Sequence, residues 1–352
     1  MTPANHSNDD YVFTKYLNVQ KAKVNLMGKN VTAHLNGTQL NEIGIQTPVG
    51  LDMNSSATAT NRNQTGITLH NGSTVSADRT DDGAGAVGLF INYGEAKVNS
   101  GATVNVEKSG INGENEGAVG IFAVNDSSVD NSGTINVGGK NSIGILGLSY
   151  RTDRTGLKIN EFRQTTTTHG DIDVKNNSQL NLNGESAVGI YVENNDNTGA
   201  AHDVKGENTA TGTITLSGDE STGMYAKRGL IYNDGTISVG KKSTAIYLVD
   251  DGLGPVGTQG AGVSNNGTIT LGDTSTGLYG LNNTEISNDG KITAGNKSTG
   301  IFYSDIYVNP ITKAETVYNT TTGLSNNGTI TLGEDSTGIY YKNGTSTLTG
   351  GI

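Results

Sequence analysis

The sequence predicts an all-β chain, a right-handed parallel β-helix (a solenoid) with lateral loop insertions. Three observations lead there. A short motif recurs nine times, at a minimal spacing of 23 residues. Within each copy, apolar and polar residues alternate with period two. Hydrophobic residues make up only 33% of the chain, and 51 of its 352 residues are Gly. Apolar side chains so scarce have to be placed regularly along a repeat rather than gathered into one round core.

The repeat is plainest in its best copies. Residues 265–279 read NNGTITLGDTSTGLY, 326–340 read NNGTITLGEDSTGIY, 288–302 read NDGKITAGNKSTGIF and 233–247 read NDGTISVGKKSTAIY. Residues 131–146, NSGTINVGGKNSIGIL, are one residue longer, and degenerate copies stand at 212–225, 177–191, 99–122 and 71–90. Gly212 and Gly235 lie 23 residues apart, as do Gly267 and Gly290, while other frames run to 32–38 because residues are inserted. An aliphatic residue precedes the Asn of each good copy: Val129, Ile231, Val263, Ile286 and Leu324. One unit therefore holds three short strands separated by turns of Gly, Asn, Asp and Ser.

Alternation assigns the faces. Val263, Asn265, Gly267, Ile269 and Leu271 point inward, and Ser264, Asn266, Thr268 and Thr270 point outward. A unit of three short strands cannot bury its own apolar face, so each strand pairs in parallel with its copy one coil along. Coils rising about 4.8 Å each, nine to eleven of them, make a rod of about 45–55 Å. Asn265, Asn288 and Asn326 stack at one corner, where amides donate and accept along the axis. Gly267, Gly290 and Gly328 are expected to take positive φ at that corner.

A second ladder is aromatic: Phe90, Phe122, Tyr191, Tyr225, Tyr247, Tyr279, Phe302 and Tyr340. Each ring follows an aliphatic residue, so only one of the two can face the core. Tyr247, Tyr279, Phe302 and Tyr340 are read as a structural stack, the alternative being an exposed aromatic track for sugars.

Residues 1–70 read as an irregular N-terminal part of the same solenoid, and 71–352 as regular coils. Insertions interrupt the coils at about 147–175, 192–209, 248–261 and 303–322. Each follows the aromatic end of the third segment, which in a solenoid is one fixed corner, and loops gathered on one face commonly bind. The first insertion carries Tyr150, Arg151, Arg154, Lys158, Phe162, Arg163 and His169, a cationic and aromatic loop on an acidic rod suited to an acidic or glycan partner. The last, with Tyr303, Tyr307, Pro310 and Tyr318, suits a small hairpin that buries its own rings. The candidate ligand-binding residues are thus Tyr150, Arg151, Arg154, Phe162, Arg163, Tyr307 and Tyr318. The plainer alternative is loops that the rod merely tolerates.

Composition removes several classes. A net charge of −11 argues against nucleic acid. The chain has no Cys, so there is neither a disulfide framework nor a thiol nucleophile. Apolar stretches reach four or five residues, far short of the roughly 20 of a membrane-spanning helix. The opening MTPANHSNDD has the pattern of no signal peptide. The five His are scattered, and no metal or cofactor is expected. The GxGxxG of 83–88 is the repeat itself, since its Ala-Val-Gly recurs at 118–120 and 187–189. The stretch 235–243 nearly spells a phosphate-binding loop, but Lys242 stands where Ser or Thr must be. Asp171 and Asp173 share a strand face, as acid/base pairs do in polysaccharide-cleaving β-helices, although acidic pairs at coil corners also serve as solvated turns.

The string S-T-G-[IL]-[YF] after N-x-G-T-I-T-L-G, repeated with variable loops over about residues 71–345, resembles the passenger regions of large type V autotransporter adhesins, especially those of fusobacteria. The resemblance implies a long rod projecting from the outer membrane at the bacterial cell surface. It implies binding to a glycoprotein, glycan or receptor on host or partner cells. On that reading the chain is a monomeric excerpt of a longer passenger, lacking signal peptide and translocator, with no enzymatic activity and no membrane insertion of its own. The alternatives are a structural spacer without its own ligand and a polysaccharide-cleaving enzyme using Asp171 and Asp173.

Overall fold

The computed structural model describes residues 66–79, 86–92, 94–106, 117–149, 170–194, 202–250, 261–282, 284–308, 315–317, 323–343 and 345–351. It also describes the backbone of five earlier strands, Tyr11–Phe13, Leu17–Val19, Lys23–Leu26, Asn30–Leu35 and Val49–Asn54. All of it is strand and turn. The chain visits three parallel sheets in rotation, and each sheet has 11 strands. In the coil best matching the repeat, Thr268–Leu271 lies in the first sheet, Thr276–Leu281 in the second and Thr284–Asn288 in the third. Each strand pairs in register with its copy one coil away, so Ile237, Ile269, Ile292 and Ile330 lie in line. The molecule is a right-handed parallel β-helix, the hand that strand-to-parallel-strand crossovers take. Its eleven coils span about 50 Å. The stretch 1–70 supplies two strands to each sheet, and Val31 pairs with Val75 in the common register.

Period-two alternation decides what is inside. Val263, Asn265, Gly267, Ile269 and Leu271 are buried, while Asn266, Thr268 and Thr270 are exposed. The core is a column of single aliphatic residues from each sheet: Ile269 and Ile292 from the first, Ile246, Leu278 and Ile301 from the second, Ile231 and Ile286 from the third, all fully buried. A thin core of this kind explains how a chain so poor in apolar residues folds: each coil covers its neighbour, and little apolar surface is left to shield.

The glycines at the Asn corner serve a different end from the one expected. Gly267, Gly290 and Gly328 do not have positive φ; among the described residues the glycines that do are Gly72, Gly101, Gly117 and Gly139. Gly267 is required by close approach, since a Cβ there would run into the carbonyl oxygen of Gly235 and sit 2.9 Å from Nδ2 of Asn233. Left-handed backbone is instead carried by side-chain-bearing residues at the corner before the second sheet: Ser186, Glu220, Lys242, Thr274, Lys297 and Asp335, with φ between 54° and 60°. There the turned amide reaches the next coil, as in Lys242 N–H to Asp273 O at 2.9 Å and Thr274 N–H to Asn296 O at 2.8 Å. Gly88, the last glycine of the GxGxxG string, is a packing device: a Cβ would come within 2.6 Å of both the Gly120 oxygen and Val104 Cγ1.

Candidate binding corner, ladders and groove

The four insertions expected at about 147–175, 192–209, 248–261 and 303–322 leave from one corner, while the long connection between Val106 and Val119 lies at another, before the second sheet. Second-sheet strands end at Leu148, Glu193, Val249 and Ser304, and the third sheet resumes at Ile172, Val204, Ala261 and Gly323. The coil strands occupy part of each expected insertion. Tyr303 in particular belongs to the strand Thr299–Ser304, is fully buried in the core and stacks on Tyr341 at 5.4 Å. A hairpin does follow it, Ile306–Val308 antiparallel to Glu315–Val317, with Tyr307 opposite Thr316. The side chain of Tyr307 lies outside the described residues, as do Tyr150, Arg151, Arg154, Phe162, Arg163 and Tyr318 in full.

Inside the third-sheet corner runs an unbroken amide chain. Nδ2 donates to the next Oδ1 from Asn131 to Asn176 (2.7 Å), to Asn208 (2.9 Å), to Asn233 (2.8 Å), to Asn265 (2.6 Å), to Asn288 (2.6 Å) and to Asn326 (2.7 Å). All of these side chains are buried. Asn265, Asn288 and Asn326 are its C-terminal members. The others carry the same signal, an aliphatic residue two positions earlier in the good copies at Asn131 and Asn233. Val98 and Leu348 occupy the ladder position beyond each end.

A second chain of polar contacts accounts for the Ser of the S-T-G motif. The backbone N–H of Ser221 donates to Ser243 Oγ, Ser243 N–H to Ser275 Oγ, Ser275 N–H to Ser298 Oγ and Ser298 N–H to Ser336 Oγ, at 3.0–3.2 Å. Each bond closes a backbone donor at the first corner that the sheet ladder does not reach. Their signal in the sequence is a Ser–Thr pair followed by Gly, or by Ala245 after Ser243.

The aromatic ladder stands on the outer face of the second sheet, because the aliphatic partner of each ring points inward. Met224, Ile246, Leu278 and Ile301 are fully buried, while Tyr225, Tyr247, Tyr279 and Phe302 are half-buried. From Tyr191 through Tyr225, Tyr247, Tyr279 and Phe302 to Tyr340 the rings stack nearly parallel, 4.5–5.3 Å apart and 7–20° from coplanar. Toward the N-terminus the same column becomes Phe90, Phe122 and Leu146, which with Val87, Val119 and Ile143 form a second buried apolar cluster. Burial pushes the phenols of Tyr191, Tyr247 and Tyr279 up from their ordinary value, and the Glu193 carboxylate, accepting the Tyr191 hydroxyl at 2.8 Å, adds to the rise at Tyr191. Interior rings of the stack have both faces taken by their neighbours, which leaves a sugar only edges.

Asp171 and Asp173 both face outward, and each is engaged. Asp171 Oδ1 accepts the Asp203 N–H at 2.9 Å, and Asp173 Oδ2 lies 3.5 Å from Lys205 Nζ. Beside them on the wall of the third sheet is an open groove of about 610 Å³, lined by Asp203, Lys205, Glu207, Leu230, Tyr232, Asp234 and Asn266.

Three in-register parallel sheets closed around a narrow core, with polar ladders at the corners, define a pectate lyase-like β-helix domain. The comparison with family models is specific. The BigA third pectate lyase-like domain matches residues 17–246 and 206–301, and the chain belongs to that family. Domains of this kind belong to surface-exposed bacterial proteins. No curated protein and no solved structure matches the chain.

Proposed function

We propose that this chain is a non-enzymatic segment of a bacterial surface adhesin, a rigid rod that presents its corner insertions to a glycoprotein, glycan or receptor on a host or partner cell. The observation that carries the proposal is the common exit corner: insertions after Leu148, Glu193, Val249 and Ser304 all interrupt the step from the second sheet to the third. Coils stacked about 4.8 Å apart then hold neighbouring insertions along one line of the rod. The repeat's resemblance to autotransporter passengers, fusobacterial ones above all, supports a rod displayed outside the outer membrane with host or partner cells as its targets. Engagement of Asp171 Oδ1 by an amide and of Asp173 Oδ2 by an ammonium speaks for a structural role rather than acid/base chemistry.

Replacing 150–169 and 309–314 by short Gly-Ser links tests the proposal. Binding to host-cell or partner-cell surface extracts falls sharply while the far-ultraviolet β signal stays. Undiminished binding by the folded variant refutes the role of the insertions. Turnover on a polysaccharide array that disappears in Asp171→Asn refutes the non-enzymatic reading.

A further inference from the structure

We infer that the groove on the third-sheet wall is a binding site for an amino-sugar glycan, with Tyr232 as its platform. The groove runs along the wall from Asp203, at the insertion corner, to Asp234 and Asn266 at the Asn corner, and its lining shares no residue with the candidate loop residues.

Three large hydrophobic residues are exposed among the described residues: Tyr232, Tyr340 and Leu348. Tyr340 and Leu348 belong to the final coil. Tyr232, 37% exposed, is therefore the one such residue before the final coil among the described residues, and it lies in the groove. Its situation is the reverse of the ladder tyrosines. Those rings cover one another, whereas the register neighbour of Tyr232 on one side is Glu207 and on the other Ser264, and among the described residues no ring stacks on it. Leu230, the next outward residue on the same strand, is followed by Gly262 in the next coil. The Leu230 side chain lies over Gly262, its Cδ2 3.2 Å from where a Cβ would stand there, and lines the groove beside the ring. The coil that carries Tyr232 also turns tightly through Arg228 and Gly229, while the coils on either side carry insertions after Asn194 and Asp250. The volume falls in the roughly 300–1,000 Å³ of small-ligand sites.

Charge then selects the class of sugar. Asp203, Glu207 and Asp234 line the groove against one ammonium, Lys205, and that ammonium already lies 3.5 Å from Asp173 and 3.8 Å from Asp203. A polyuronate, the acidic substrate that a pectate lyase-like fold brings to mind, meets carboxylates and is repelled. A protonated amino sugar meets carboxylates at hydrogen-bond range and an aromatic ring that attracts cations over its face. Asn266, whose Nδ2 donates to Asp234 Oδ1 at 2.7 Å, holds that carboxylate in place at the corner.

Calorimetric titration of the full 352-residue chain with oligoglucosamine, oligogalacturonate and oligolysine tests the site. Oligoglucosamine binds, oligogalacturonate does not, and Tyr232→Ala weakens oligoglucosamine about tenfold, as loss of one cation–π platform requires. Tyr232→Phe retains most of the affinity, and Glu207→Gln with Asp234→Asn reduces it. All the substituted side chains face solvent, and circular dichroism of each variant checks that the rod is intact. Absence of oligoglucosamine binding overturns the inference, as does tighter binding of oligogalacturonate. Equal binding of oligolysine that ignores Tyr232→Ala also overturns it, by reducing the groove to a patch of charge that attracts basic peptides.

Discussion

Nδ2 of Asn265 donates to Oδ1 of Asn288 at 2.6 Å, although the two residues stand 23 positions apart in the chain. The bond joins equivalent positions of successive coils, so one amide both receives from the coil below and gives to the coil above. Asn265→Ala leaves the Asn233 donor and the Asn288 acceptor without their partner in a dry corner. An unsatisfied buried polar group costs about 1–3 kcal/mol, so the denaturant midpoint of the variant drops clearly. Asn266→Ala, one residue away and exposed, changes it little. Equal midpoints for the two variants overturn the ladder's energetic role.

The aromatic stack makes a separate contribution. Tyr247 lies 5.3 Å from Tyr225 and 4.8 Å from Tyr279, with both neighbours nearly parallel. Tyr247→Ala removes two such pairs, each worth about 0.5–1.5 kcal/mol beyond area burial. Tyr247→Phe keeps the stack and is near neutral. Chemical denaturation of the two variants reads the difference, and because interior rings offer no free face, neither variant alters oligosaccharide binding. A Tyr247→Ala rod as stable as the parent refutes a structural stack.

Much of this architecture was legible because it rests on local rules that repeat. The alternation in 263–271 is enough to place Ile269 inside and Thr270 outside, and the recurrence of Asn265, Asn288 and Asn326 points to one corner. What was not legible came from the neighbouring coil. Which of Ile246 and Tyr247 faces the core is settled by a break in the alternation, since Ala245 and Ile246 are both buried against the neighbouring coils, and a single repeat carries no record of that contact. The same blindness misassigned Gly267, whose small size answers the carbonyl of Gly235 rather than its own dihedral. The groove is not legible in any one repeat for a third reason: Tyr232, Glu207 and Asn266 come from three different coils and meet only in register.

Thr274 is a point where the natural sequence works against its backbone. It is β-branched and sits at φ 60°, a left-handed conformation that Asn adopts far more readily. Its backbone amide holds the next coil through Asn296 O, and Asn keeps that bond. Thr274→Asn therefore raises stability, by roughly 0.5–1 kcal/mol as a fraction of the left-handed penalty. Thr274→Val lowers it or leaves it unchanged. Thermal melts of the two variants decide the matter, and a Thr274→Asn rod that melts below the parent contradicts the strain assigned to this corner.

Alkaline pH reaches the rod through its tyrosines. Burial holds the phenols of Tyr191, Tyr247 and Tyr279 protonated above the ordinary value of 10.0. Below about pH 10 folded and unfolded chains carry these protons alike, and the stability the phenols lend is complete. As pH rises past 10.0 the unfolded chain releases protons that the folded rod still holds, so unfolding becomes more favourable with each increment of pH until the folded phenols titrate in turn. A titration followed by tyrosinate absorbance shows a group of phenols ionising late, together with the loss of far-ultraviolet β signal. Replacing Tyr247 and Tyr279 by Phe reduces the late group and moves the alkaline transition upward. All phenols ionising near pH 10 in a rod whose circular dichroism does not change contradicts the burial of the stack, because a face open to water has no means of holding its protons.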